Sequence, residues 1–152
     1  MIDVDRYLKR INCGRDRSPS LRFLRQLHRG HLLAIPFENL DIHLGNEIVL
    51  DISKIYTKII LNGRGGFCYE LNSLFNQLLV ELGFQTHLIS AQVYKSDGEL
   101  SAPFDHMAIV VQLEGKEYLA DVGFGDSFLS PKLIETELVQ MDYNQYFKLE
   151  QT

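Results

Sequence analysis

The sequence predicts an α+β protein, in which a helical first part is followed by antiparallel strands. Up to Phe84 the apolar side chains recur at the spacing of amphipathic helices, and beyond it they form short runs separated by turn sequences. The 152 residues, 45% of them hydrophobic, are enough to bury the core of one domain or of two small lobes. We therefore expect a helical bundle domain over residues 1–84 and a strand domain over residues 85–152.

Two predicted helices lie in the first forty residues. The first has an apolar stripe formed by Val4, Tyr7, Leu8 and Ile11. The second opens at Ser18-Pro19, because serine is a favoured helix cap and proline is tolerated in the first helical turn. It stops at Ile35-Pro36, because proline and the residue before it disfavour helical backbone.

Two further helices complete the predicted bundle. The third begins at the cap Asp51 and breaks at Asn62-Gly63. The fourth covers about residues 67–82, with Gly83 as its C-terminal stop. Its apolar face is predicted to bury Leu71, Leu74, Phe75, Leu78 and Leu79.

The second part is predicted to contain short strands joined by tight turns. The strand predictions are residues 87–94, 107–113, 118–122 and 145–149. Ser96-Asp97-Gly98 and Glu114-Gly115-Lys116 are the turn sequences between them. Turns this short join neighbouring antiparallel strands, and residues 108–111 are apolar throughout, which indicates a strand covered on both faces.

The charge and hydropathy of the chain exclude two classes of partner. A net charge of −5 argues against a general nucleic-acid-binding protein, because phosphate binding needs a basic surface. No apolar run approaches the roughly 20 residues of a membrane-spanning helix, and the N-terminus is charged where a secretory signal would be apolar. We therefore expect a cytoplasmic protein with no nucleic-acid and no membrane partner.

Both cysteines, Cys13 and Cys68, are expected to be free thiols. They are too few for a disulfide framework and lack the C-x-x-C spacing of zinc and redox sites, so we expect no metal. Cys68 follows a glycine-rich turn at the predicted start of a helix, where free N–H groups and the helix dipole favour negative charge. A thiol there is a candidate nucleophile. The position alone leaves open a small buried cysteine, which is our interpretation of Cys13.

His106 is the candidate base for this thiol, because it opens a predicted buried strand. We expect structural or solvent-facing roles for the other histidines, His28, His31, His43 and His87. If Glu114-Gly115 is a two-residue turn, Asp121 lies opposite Ala108 and on the same face of the sheet as His106. Asp121 and His106 are then diagonal neighbours, whose backbones are about 7–8 Å apart. A carboxylate so placed fixes the imidazole tautomer and stabilises its protonated form. The predicted Cys-His-Asp site therefore depends on the length of that turn.

Four short motifs contain or flank these candidates. They are Ile35-Pro36-Phe37-Glu38-Asn39-Leu40, Arg64-Gly65-Gly66-Phe67-Cys68-Tyr69-Glu70-Leu71-Asn72, Asp105-His106-Met107 and Ala120-Asp121-Val122-Gly123-Phe124-Gly125. In this order they resemble the motifs of the arylamine N-acetyltransferase family, and the likeness extends from about Leu21 to Asp126. The resemblance implies that Cys68 is the acetylated nucleophile, His106 its base and Asp121 the acid that orients the imidazole, an arrangement similar to that of cysteine proteases.

The same resemblance implies roles for neighbouring residues. Phe37 and Phe124 are expected to line an aromatic substrate pocket. Arg64 is expected to form an ion pair with Glu38 that supports the active-site turn. The adjacent glycines, Gly65 and Gly66, either let substrate approach the backbone closely or simply form the turn.

The resemblance further implies a ping-pong reaction in which acetyl-CoA is the cosubstrate and a small aromatic amine or hydrazine accepts the acetyl group from a Cys68 thioester. Family members continue with more strands, which close a barrel, and with a third domain that covers the site and helps to bind CoA. Because this chain ends at Thr152, we expect an incomplete β-barrel without the lid domain. Its open strand edges are expected to allow self-association and its turnover to be impaired.

Two other classes of function remain open at this point. A papain-like or transglutaminase-like cysteine hydrolase would use the same triad, although papain-like enzymes usually place an amide behind the histidine and lack the run at residues 35–40. A non-catalytic fragment would bind a partner through exposed strand edges. Acetylation of Cys68 by acetyl-CoA distinguishes the transferase from both.

Overall fold

The computed structural model describes residues 1–14 and 18–150, and within these ranges the predicted α+β class is confirmed. The helices are α1 (Val4–Arg10), α2 (Leu21–Ala34), α3 (Leu40–His43), α4 (Ile52–Tyr56) and α5 (Cys68–Glu81). A π-helical turn, Thr57–Leu61, continues α4. The strands are β1 (Gln85–Ala91), β2 (His106–Leu113), β3 (Lys116–Ala120), β4 (Lys132–Leu133), β5 (Val139–Asp142) and β6 (Gln145–Lys148).

The start of α2 differs from the sequence prediction. Ser20, not Ser18, is the cap, because its side chain accepts a hydrogen bond from the N–H of Phe23 at 3.2 Å. The predicted first-turn position of Pro19 is therefore wrong, since Pro19 precedes the cap. The predicted end is confirmed: α2 ends at Ala34, and the backbone at Ile35 is extended before the proline.

The predicted caps and stops of the later helices agree closely with the structure. Asp51 accepts hydrogen bonds from two backbone N–H groups at the start of α4, and the turn that follows ends before Asn62. Helix α5 begins at Cys68 with Phe67 as its N-cap. The short helix α3, which contains His43, was not predicted, because four residues carry no periodic signal.

The strands form a four-stranded antiparallel sheet, in the order β1-β2-β3-β4, and a separate β5-β6 hairpin. The first three strands begin one or two residues before their predicted starts, and β1 and β3 also end earlier than predicted. Neither β4 nor β5 was predicted. Within the described ranges the sheet is open and does not close into a barrel.

The turn between β2 and β3 has the predicted two residues. Leu113 pairs with Lys116, and Ile109 pairs with Ala120, so the register is the one that the prediction required. Glu114 and Gly115 both have positive φ, 53° and 74°, which is typical of the turns that best match strand twist. Strand β3 ends at Ala120, and Asp121 is therefore the first residue beyond it.

Among the described residues, one hydrophobic core lies between the helices and the sheet. Helix α5 packs against β1 and β2, and its apolar face carries residues at helical spacing that are fully buried. The core includes Tyr7, Phe23, Phe75, Leu78, Ile109 and Val111. The core contains residues from both sides of residue 84. The division of the chain into two domains at that residue stays a prediction. In the part of the chain that the structure describes, none of the helices is both long and apolar enough to cross a membrane.

Candidate active site

Cys68 is the first residue of α5 and lies mostly buried at the edge of the core. The helix start is closed by Glu70, whose Oε2 accepts a hydrogen bond from the N–H of Phe67 at 3.2 Å. The Sγ atom of Cys68 lies 3.9 Å from the backbone oxygen of Asp105, the residue before His106. The thiol therefore lies between the N-terminus of α5 and the N-terminus of β2.

The backbone before Cys68 packs against the chain that follows α2. Glu38 donates its N–H to Gly66 O at 2.9 Å, and Gly66 donates its N–H to Pro36 O at 3.3 Å. A Cβ on Gly65 would lie 2.0 Å from Pro36 O, a distance that no side chain can occupy. The turn therefore needs glycine at residue 65 because two backbone segments touch there, a reason that the sequence alone did not provide.

A cluster of charged side chains lies beside the turn that precedes Cys68. Lys58 Nζ lies 2.7 Å from Asp41 Oδ2, 2.8 Å from Glu70 Oε2 and 3.7 Å from Glu38 Oε1. Arg64 contacts Glu38 at 2.9 Å, the pair that the family resemblance implied, and also Asp41 at 3.0 Å. The hydrogen bond from Lys58 is the main cause that lowers the pKa of the Asp41 carboxyl. The cluster connects the cap of α5 to α3 and to the π-helical turn.

His106 and Asp121 form a buried pair. The Nε2 atom of His106 lies 2.6 Å from Asp121 Oδ2, so the other ring nitrogen is the one left for the thiol. Burial acts to lower the pKa of His106, but hydrogen bonds to Asp121 and Cys68 outweigh it and raise that pKa to about 9. Burial likewise acts to raise the pKa of Asp121, and the bond from His106 keeps it below its usual range. The geometry thus favours a protonated imidazole beside an ionised carboxylate.

Asn72 fixes the second oxygen of this carboxylate, a role that the sequence analysis did not assign. Its Nδ2 donates to Asp121 Oδ1 at 2.9 Å and to Met107 O at 2.6 Å, while its Oδ1 accepts from the N–H of Val122 at 2.9 Å. Asn72 lies one helical turn after Cys68, on α5. That spacing was the available signal, because residues four apart share a helix face.

The two aromatic residues predicted to bind substrate flank the site. Phe37 and Phe124 are 45% and 44% exposed, so both rings present apolar surface to solvent. The ring of Phe124 lies 5.4 Å from the ring of His106 and meets it edge-on. A Cβ on Gly123 would lie 2.7 Å from the Cα atom of Cys68, so glycine there lets the chain pass close to the helix start.

The structure therefore brings Cys68, His106 and Asp121 together, and their catalytic roles stay predictions. Among residues 1–14 and 18–150, no three side chains of His, Cys, Asp or Glu are arranged to hold a metal ion. His43 and His87 are exposed and lie elsewhere. A helix-start thiol beside an imidazole that is bonded to a carboxylate is the arrangement used in cysteine-dependent acyl transfer.

Comparison with known proteins identifies the family within this class. A family model described as N-acetyltransferase matches residues 20–152, and the chain belongs to that family. It is 36% identical, over 95% of its length, to an arylamine N-acetyltransferase / N-hydroxyarylamine O-acetyltransferase of Salmonella typhimurium, of which it covers 52%. It is 35% identical over 98% of its length to proansamycin X synthase of Amycolatopsis mediterranei, of which it covers 58%.

A solved structure agrees with the fold. The arylamine N-acetyltransferase of Mycobacterium marinum in complex with CoA superimposes with a TM-score of 0.91 at 34% identity. The match covers 99% of this chain and 57% of that one. The chain thus spans about half the length of the relatives that it matches.

Proposed function

We propose that this chain carries the acetyl-transfer site of an arylamine N-acetyltransferase. The observation that carries the proposal is the Cys68 thiol at a helix start beside a His106–Asp121 pair with a 2.6 Å hydrogen bond. The names of the relatives supply the acyl group and the acceptor class, and the CoA complex of the Mycobacterium marinum protein supports acetyl-CoA as the donor.

The proposed first step forms a thioester on the enzyme. The Cys68 thiolate attacks the carbonyl carbon of acetyl-CoA, the new S–C bond forms, and the S–C bond to CoA breaks. His106 holds the proton as an imidazolium and passes it to the departing CoA sulfur. The N–H of Cys68, which has no intrahelical partner at the start of α5, is our candidate donor to the oxyanion that develops on the carbonyl oxygen.

In the proposed second step an arylamine or arylhydrazine takes the acetyl group. The amine nitrogen attacks the thioester carbon, His106 accepts the proton that nitrogen loses, and Cys68 leaves as a thiolate. Asp121 keeps the imidazole oriented and stabilises its charge. The half-exposed rings of Phe37 and Phe124 provide apolar surface on which an aromatic acceptor can lie.

Acetylation of the free protein tests this proposal directly. On incubation with acetyl-CoA alone, intact-mass analysis should find one acetyl group on the parent and on Cys13→Ser, and none on Cys68→Ser. Addition of an arylamine should remove the group and release the acetylated amine. An adduct that survives in Cys68→Ser, or a reactive Cys68 that takes up no acetyl group, would contradict the assignment.

A further inference from the structure

His28 is a buried histidine that the proposed mechanism does not use, and it contacts the backbone of the proposed catalytic acid. It lies on α2 with no exposed surface. Its Nε2 accepts a hydrogen bond from the N–H of Asp121 at 3.2 Å, across 93 residues of sequence. Its Nδ1 lies 3.0 Å from the backbone oxygen of Leu129. Both ring nitrogens therefore have partners.

These two contacts determine the protonation state of the imidazole. A carbonyl oxygen only accepts, so Nδ1 must carry the proton that bonds Leu129. A backbone N–H only donates, so Nε2 must be unprotonated toward Asp121. His28 is therefore the neutral Nδ1–H tautomer, and burial lowers its pKa to about 4, which is consistent with that state.

The ring is fixed from both sides. Phe128 stacks on it with centroids 5.7 Å apart and planes at 13°, and Phe75 of α5 meets it edge-on at 6.1 Å. The imidazole therefore presents Nε2 in one direction only. A buried side chain with restricted rotation can serve as a fixed hydrogen-bond acceptor for a backbone N–H that lies beyond the end of a strand.

Asp121 is such a group. Strand β3 ends at Ala120, so the N–H of Asp121 lies beyond the last paired residue and needs another acceptor. Only two side-chain torsions separate its backbone from the carboxylate that bonds His106. Fixing the N–H therefore limits where the carboxylate can go, and small displacements of such a group have large effects on a site that depends on orientation.

We propose that His28 is a positioning residue, which holds Asp121 in register with His106 by accepting the Asp121 N–H. The inference rests on the proposed function, because it concerns the same thiol, imidazole and carboxylate. It assigns His28 a task beyond packing: without the acceptor, the carboxylate should spend less time against His106. The imidazolium, and with it the Cys68 thiolate, would then be less stabilised.

Two substitutions separate positioning from packing. The amide of glutamine lies near the place of Nε2, so His28→Gln keeps an acceptor for Asp121. The shorter asparagine places its amide near Nδ1, so His28→Asn keeps the contact to Leu129 and loses the one to Asp121. We expect iodoacetamide to alkylate Cys68 at pH 6 within about twofold of the parent rate in His28→Gln, and about tenfold more slowly in His28→Asn, the effect of one pKa unit.

His31 supplies the matched control. It lies one turn further along α2, is equally buried and also contacts Phe75, at 5.3 Å, but its Nδ1 bonds the Tyr7 hydroxyl at 2.9 Å. His31→Gln and His31→Asn should therefore show no difference in Cys68 alkylation beyond what their stability explains. Urea unfolding of all variants gives that stability.

His28→Met keeps the measurement decisive if His28→Asn does not fold. Methionine has the length of glutamine but only a weakly accepting thioether sulfur in place of the amide oxygen, so it should show the same slow alkylation. Equal rates for the Gln variant and for the folded Asn or Met variant would overturn the inference. Alkylation needs no acetyl-CoA, so it tests the positioning role separately from the proposed function. If the parent is never acetylated but His28→Gln and His28→Asn still differ in alkylation rate, the proposed function is refuted and the positioning role stands.

Discussion

At the scale of single residues, the two thiols have different surroundings. Cys68 lies at a helix start beside an imidazole whose pKa is raised to about 9, so a proton on that ring is available to stabilise a thiolate. Cys13 lies outside the four motifs, and burial raises the pKa of its thiol. The surroundings of Cys68 therefore favour a thiolate, and those of Cys13 favour the neutral thiol.

This contrast predicts the reactivity of the thiols. At pH 6 Cys68 should be alkylated at least about tenfold faster than Cys13, because only the thiolate reacts and the helix start and the His106 imidazolium stabilise that form at Cys68. The measurement is peptide mass spectrometry after timed exposure to iodoacetamide. His106→Ala should slow Cys68 toward the rate of Cys13, and Asp121→Asn should slow it while the protein stays folded. Equal rates for the two cysteines in the parent would refute the thiolate assignment.

At the scale of elements, the π-helical turn after α4 connects Lys58 to the start of α5. The extra residue of such a turn changes the direction of the side chains, and π-helical turns are frequent at functional sites. Lys58 there contacts Glu70, which closes the first turn of α5, and Asp41 on α3. The Lys58 side chain is 14% exposed, so these charges are poorly screened by water.

Removing this lysine should therefore destabilise the protein. Lys58→Met leaves Glu70 and Asp41 partly buried without their shared cation, and we expect a loss of about 2 kcal/mol in the free energy of unfolding, below the range for fully buried pairs. Lys54→Met, at an exposed position of α4, should change it by less than about 0.5 kcal/mol. Urea unfolding compares the two, and equal small losses would show that the cluster contributes no more than surface ion pairs do.

At the scale of the whole molecule, three histidines contribute to the pH dependence of stability between about pH 4 and pH 9. Burial lowers the pKa of His28 to about 4, and burial, followed by repulsion from nearby groups that include the Arg10 cation, lowers the pKa of His31 to about 3. Both histidines bind a proton more weakly when folded, so their contribution is complete above pH 6.5 and is lost on acidification. The pKa of His106 is raised to about 9, so its contribution is complete below pH 6.5 and is lost as the pH rises through 9.

We therefore expect maximum stability near pH 6.5. Below it each buried histidine should contribute a slope of about 1.4 kcal/mol per pH unit, because the unfolded chain binds one more proton than the folded chain. Urea unfolding between pH 4 and pH 9 measures the curve. His31→Gln should flatten the acidic limb and leave the alkaline limb unchanged. An unchanged acidic limb in that variant would show that His31 is not protonated on unfolding.

The sequence by itself determined the elements whose signals are local. The proline after Ile35 ended α2, and Asp51 capped α4. Glu114-Gly115 indicated a turn whose length the sequence left open, and the structure has the two residues that place Asp121 on the side of His106. These features depend on residues within a few positions of one another, and backbone sterics and capping act at that range. The motifs that resemble the family are likewise short runs of neighbouring residues, so they can be read from the sequence alone.

Only the tertiary structure decided which distant groups support the site. Asn72 bonds Asp121 across 49 residues and His28 bonds it across 93. The spacing from Cys68 indicated only that Asn72 shares a helix face with the thiol, and no local pattern pairs either residue with Asp121. Strand β4 was missed because two residues are too few to show alternation. Strand β5 was missed although Val139 and Met141 alternate with polar residues, and its pairing with β6 defines it. A buried hydrogen-bonding group takes whatever partner the packed chain brings near, and that choice is made by the fold as a whole.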